Sequence, residues 1–129
     1  LFGHSDEILA VYAMMNLRRA RAKESVVFDI GAGTGAFSAL ASHLGYRVVS
    51  FEPQPDCADA ILYTRNHTDN VSNWHLFRAG VGCKARQLAM PEHTCSLPGK
   101  ASSQSRTFQI HGTPLLTFLP FIEGTTAPP

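Results

Sequence analysis

The chain carries little charge, and neither sign is in excess. Only 16% of its 129 residues are charged, with 11 Lys and Arg against 10 Asp and Glu. That balance gives no electrostatic case for nucleic acid or an anionic membrane as partner. Long apolar runs are also missing. The longest uninterrupted one, Ile8 to Met15, spans eight residues, far short of the ~18 that a spanning helix needs. Cysteine is scarce: Cys57, Cys83 and Cys95 are odd in number and form no CxxC pair. This argues against a disulfide scaffold and against a zinc site. His4, His43, His67, His75, His93 and His111 are scattered without an i, i+4 ligand spacing, so no metal is expected. Hydrophobic residues are not lacking. At 44% they make an ordinary globular share, which excludes wholesale disorder. The length suits one domain at most, 1–129. The first residue is Leu rather than Met, which reads as a processed chain or a piece of a longer product.

Three segments follow from the pattern. Residues 1–25 read as an amphipathic helix with Ser5 as N-cap and Asp6 and Glu7 in the first turn. Ile8, Val11, Tyr12 and Met15 form its apolar stripe, and Arg18, Arg19, Arg21 and Lys23 a solvated basic end. Residues 26–82 read as a βαβαβ core. Val26 to Ile30 is short, β-branched and apolar on both faces, as a strand buried between two layers is. A glycine turn, Gly31-Ala32-Gly33-Thr34-Gly35, leads into a helix with Phe37, Leu40, Ala41 and Leu44 on one face, stopped by Gly45. A second strand, Arg47 to Phe51, ends in Glu52-Pro53. A third helix opens at Pro55 and Asp56 with Ala58, Ile61, Leu62 and Arg65 on one face. Trp74 to Phe77 is the third strand, with Trp74 packed at its start. Short strands alternating with helices imply a parallel sheet with right-handed crossovers. Residues 83–129 read as a hairpin-like segment and tail. Ala85 to Met90, Thr107 to Ile110 and Leu115 to Leu119 are strand candidates, Pro91 to Ser105 a loop, and Gly124 to Pro129 a structureless end.

The chemistry concentrates at the glycine turn. Glycine is needed where backbone must bend sharply or let a ligand lie against it. The amides of the following helix's first turn point at the same space. Ligands of parallel sheets bind beyond the carboxyl ends of the strands, where Glu52 also lies. Its carboxylate suits the vicinal hydroxyls of a ribose. Gly31-x-Gly33-x-x-Ala36 with Glu52 also fits a dinucleotide fingerprint. Asp29, two residues before the first glycine, separates the two readings. Its charge repels a pyrophosphate and attracts the amino group of S-adenosylmethionine, which has a ribose and no phosphate.

Val27-Phe28-Asp29-Ile30-Gly31-Ala32-Gly33-Thr34-Gly35 followed by Val48-Val49-Ser50-Phe51-Glu52-Pro53 resembles class I S-adenosylmethionine-dependent methyltransferases, and among them the FkbM-type group. The Phe-Glu-Pro strand ending and the Ala79-Gly80-Val81-Gly82 turn are similar to that group, and Leu116-Thr117-Phe118-Leu119 echoes a segment after its hairpin. The resemblance is strong over 26–53, moderate to 82 and faint beyond. Gly33 stands where the group often has Asn, Cys83 where it has an acid, and the Lys-Ile-Asp-Val-Glu-Gly type strand expected next is absent.

The resemblance implies that Gly31, Ala32, Gly33 and Gly35 border the methionine moiety. It implies that Asp29 holds the amino group, Glu52 the ribose, and Pro53 lies near the adenine. It implies methyl transfer to a hydroxyl of a small molecule or glycan by direct displacement, for which the protein mainly aligns donor and acceptor. No residue is assigned as catalytic base. The expected fold is α/β and Rossmann-like, mostly parallel with helices on both faces, truncated after the third strand plus a hairpin-like segment. The first strand is expected to lack a partner on one edge, since Pro114 and Pro120 bracket the tail's best candidate. This chain alone is then expected to bind the cofactor weakly and transfer no methyl group. Two other readings stand beside it: an inactive α/β fragment or binding module, and an NAD(P)-dependent oxidoreductase half-domain. Asn66-His67-Thr68 and Asn70-Val71-Ser72 fit the glycosylation triplet. Because cofactor-binding α/β domains are usually intracellular, with the cytoplasm the expected compartment, the triplets are discounted at this level.

Overall fold

The computed structural model describes residues 4–68, 71–91, 95 and 107–114. Three parallel strands form an open sheet: β1 (Val26–Ile30), β2 (Arg47–Phe51) and β3 (Trp74–Phe77), in the spatial order β1-β2-β3. Helix α2 (Ala36–His43) connects the first pair and α3 (Pro55–Asn66) the second. Helix α1 (His4–Leu17) precedes them, followed by a 3-10 turn over Arg19–Glu24. The chain is thus an α/β fold.

Two of the expected helix signals act where they stand, whereas Ser5, expected as N-cap, lies inside α1, which is already helical at His4. Pro55 sits in the first turn of α3, where its missing N–H costs nothing. Gly45 takes φ +91° just after α2, a conformation open to glycine at little cost. The first helix ends at Leu17, before the arginines, which lie exposed at Arg18 and in the 3-10 turn after it. Its inward side is Ile8, Val11 and Met15, while Leu9, Met14 and Leu17 remain exposed.

Register fixes the two faces of the sheet. Val27 opposes Val48, and Val48 opposes Trp74. These side chains join Ala41 and Leu44 beside α2, Ile61 of α3 and Met15 of α1 in one cluster. The described helices therefore pack on a single face. Expectation had placed helices on both. The reason is directional: both crossovers step the same way across the sheet, and crossovers of one hand then fall on one side.

The other face carries Val49 and Phe51, buried with Val26, Phe77, Ala79 and Val81 around them. Phe51 and Phe77 stack at 5.4 Å between ring centroids. On this face Phe28 is 40% and Ile30 52% exposed. The first strand is therefore not sandwiched between layers as its composition suggested. Among the described residues its only ladder partner is β2.

Beyond this sheet, β4 (Gly80–Val81), β5 (Arg86–Pro91) and β6 (Thr107–Thr113) form a second one in the order β4-β6-β5. The β5–β6 pairing is antiparallel, as a hairpin-like segment requires, and β4 adds in parallel. The candidate strand Leu115 to Leu119, the echo at Leu116 to Leu119, the tail, and most of the Pro91 to Ser105 loop lie outside the described residues.

One covalent feature overturns a sequence expectation. Cys57 and Cys95, 38 positions apart in the sequence, form a disulfide with Cα atoms 4.8 Å apart. The odd cysteine count pointed away from such a bond. The count does not register a pair accompanied by one exposed free thiol, Cys83.

Candidate functional site at the carboxyl edge of the parallel sheet

At the end of β1 the backbone folds over onto β2. The N–H groups of Gly31 and Ala32 both donate to the Phe51 carbonyl, at 2.9 and 3.1 Å. The Gly35 N–H donates to Ala32 O at 2.8 Å, which closes the turn and starts α2. Gly31, Gly33 and Gly35 adopt φ of +75°, +57° and +82°, where a side chain is strained.

The glycines serve two different purposes. At Gly31 and Gly33 a Cβ would find nothing within 4 Å, so the backbone there borders open space. At Gly35 a Cβ would stand 3.0 Å from Ile61 Cγ1 and 3.3 Å from Trp74 Cζ2. Its bareness lets the start of α2 approach the sheet. Ala32 is likewise buried in the helix-side cluster. Of the four turn residues singled out from sequence, Gly31 and Gly33 face outward, and Ala32 and Gly35 inward.

Glu52 lies where its strand position predicts, but it is 4% exposed and bonded on both oxygens. Oε2 accepts the Gly33 N–H and Oε1 the Gln54 N–H, each at 2.8 Å. The carboxylate ties the glycine turn to the turn that opens α3. Its own N–H donates to Phe77 O at 3.1 Å, which fixes the strand end from below. Pro53 stands half-buried beside it.

Asp29, half-buried, points to the helix side. Its Oδ2 accepts the Ser38 hydroxyl at 2.6 Å. Ser38 also lies 2.5 Å from Ser50 Oγ, and Ser50 accepts the Trp74 indole N–H at 2.7 Å. The proton order along this chain is determined. An indole N–H only donates, and each hydroxyl has one proton. Ser38 spends its proton on Asp29, so Ser50 donates to Ser38. Every donor then points towards the Asp29 carboxylate, from β3 through β2 and α2 to β1.

Sequence reading found Asp29 and Glu52 and missed the relay of Ser38, Ser50 and Trp74 behind Asp29. A signal existed for Ser50. It shares the inward face with Val48 in a strand otherwise apolar after Arg47, and a polar group at such a position requires a partner. Nothing comparable singled out Ser38, which is one of two buried serines in α2.

An open groove of about 650 Å³ lies elsewhere, between the 3-10 turn, Met15, Tyr46 and the start of β1. It is at the amino edge of the sheet and touches none of these groups. Among the described residues no helix is long and apolar enough to cross a membrane. No family model, curated protein or solved structure matches the chain.

Proposed function

We propose that the carboxyl edge of β1 and β2 binds S-adenosylmethionine on a Rossmann-like platform, and that the chain is the cofactor-binding part of an FkbM-type methyltransferase. Its acceptor is then a hydroxyl of a small molecule or glycan. The observation that carries this reading is the pair of carboxylates, Asp29 and Glu52, flanking a turn whose outward glycines leave space for a ligand. A cationic amino group and a vicinal diol suit two carboxylates, whereas a pyrophosphate meets repulsion from Asp29.

The residues fit the group as follows. Gly31 and Gly33 let it lie against backbone. Asp29, anchored by Ser38 on one oxygen, keeps the other for the amino group. Each Glu52 oxygen holds one backbone N–H, and a carboxylate offers about four acceptor positions, so capacity remains for ribose hydroxyls. Pro53 borders the adenine side. When bound, the sulfonium supplies an activated methyl and its own leaving group. The chain's contribution is orientation.

Calorimetric titration of the purified chain tests this. S-adenosylhomocysteine is expected to bind more tightly than NAD, and the reverse order overturns the methyl-donor reading. A second reading, a binding module without catalysis, is favoured by the edge of β1 that has no ladder partner among the described residues and by its exposed Phe28 and Ile30. It expects weak cofactor binding and no methyl transfer. Transfer from radiolabelled donor by these 129 residues alone overturns it.

A further inference from the structure

We propose that Asn66 is an N-linked glycan acceptor and that the chain matures in an oxidising compartment. This rests on the disulfide and on helix α3, and not on the cofactor reading.

The disulfide reverses the premise on which the glycosylation triplets were set aside. Bonds such as Cys57–Cys95 form and persist in oxidising environments and are rare in reducing ones. Cys57 is 2% exposed within α3, so the cross-link is built into the helix that carries the triplet. In an oxidising secretory compartment an Asn-X-Thr triplet at the surface is a substrate for glycan transfer.

Geometry then selects Asn66. It is the last residue of α3 and is exposed. Its neighbours in the triplet fold back onto the final turn. His67 Nδ1 lies 2.7 Å from Tyr63 O, and its ring sits 4.2 Å from that of Tyr63. The Thr68 hydroxyl donates to Arg65 O at 2.8 Å. Both side chains lie along the helix while Asn66 stands in solvent. The location is also permissive. Helix α3 starts after the carboxyl end of β2 and returns to the amino end of β3, so Asn66 lies at the edge opposite the glycine turn. A glycan there leaves that turn uncovered.

The chemistry balances with a lipid-linked oligosaccharide as co-reactant. The Asn66 side-chain nitrogen bonds to the sugar's C1. The bond from C1 to the lipid pyrophosphate breaks, the pyrophosphate departs with the electron pair, and the amide nitrogen loses a proton.

The chain, expressed behind a secretory leader in a eukaryotic host, is digested without reduction and mapped by mass. The expected result is carbohydrate on the Asn66 peptide, released by peptide N-glycosidase to leave aspartate at that position. The Cys57 and Cys95 peptides remain joined until reductant is added. Asn66→Gln and Thr68→Ala each abolish the modification, and Thr68→Ser keeps it, which separates loss of the acceptor from loss of fold. An unmodified Asn66 in the secreted protein, carbohydrate confined to Asn70, or free thiols at Cys57 and Cys95 overturns the proposal.

Discussion

Glu52 reaches from the end of β2 to accept the Gly33 N–H at 2.8 Å, so one carboxylate both shapes the glycine turn and stands at the edge where a ligand is proposed to bind. The same group accepts the Gln54 N–H on its other oxygen. Glu52→Gln replaces one acceptor by an NH₂ that faces a backbone donor. Leaving a buried donor unsatisfied costs about 1–3 kcal/mol, and urea unfolding should show a loss of that order. Titration at a temperature where the variant remains folded then separates the two roles. Weakened S-adenosylhomocysteine binding there is expected from loss of charge-assisted ribose contacts.

The relay from Trp74 to Asp29 predicts non-additive substitutions. Ser50→Ala strands the buried indole N–H of Trp74, which is 1% exposed, and should cost about 1–3 kcal/mol. Ser38→Ala removes the donor to Asp29 and leaves the Ser50 proton without its acceptor. Because the two serines share one bond, the double variant should be less destabilised than the sum of the singles by about 0.5 kcal/mol or more. A double-mutant cycle in urea checks this. Strict additivity would show that the hydroxyls are not coupled.

Two glycines in the same turn should respond differently to alanine. Gly33→Ala meets only the left-handed backbone, worth roughly 1–2 kcal/mol. Gly35→Ala meets the same backbone penalty and also contacts at 3.0 and 3.3 Å to Ile61 and Trp74. Overpacking of this kind adds about 1–3 kcal/mol. Thermal melts should rank Gly35→Ala clearly below Gly33→Ala, and an equal shift would remove the packing role assigned to Gly35.

His75 sets a pH dependence. Burial, and then the nearby Arg65 guanidinium, hold its pKa below the ordinary 6.5. In the unfolded chain it takes up a proton near 6.5, before the folded chain does. Unfolding is therefore favoured as pH falls through that value, and the loss continues until the folded imidazole also protonates. Unfolding free energies measured from pH 7.5 down to about 5 should fall less steeply in His75→Gln than in the parent.

Much of the architecture was legible because it is local. Strand Trp74–Phe77 and strand Val26–Ile30 lie where composition put them, and Pro55 and Gly45 bound their helices for the reasons their chemistry gives. Two things were not legible, and both are matters of tertiary arrangement. Val26 to Ile30 has the composition of a strand buried on both sides, yet composition does not tell which neighbours arrive to cover it. Cys57 and Cys95 meet across 38 positions of sequence, and no spacing rule encodes that meeting. At the site, Asp29 and Glu52 stood out as charges beside glycine. The relay behind Asp29 did not, because its members come from three separate elements and no residue of the sequence shows that they meet.

Trp74 is the chain's single tryptophan, and its indole is bonded to Ser50 while its ring edge lies against Gly35. The protein therefore carries its own optical reporter at the point where the sheet, the start of α2 and the Asp29 relay converge. A change in indole emission cannot originate anywhere else in the molecule. A ligand that settles on the turn, a serine variant that frees the N–H, and the first loosening of α2 from the sheet all become visible in one unlabelled fluorescence signal.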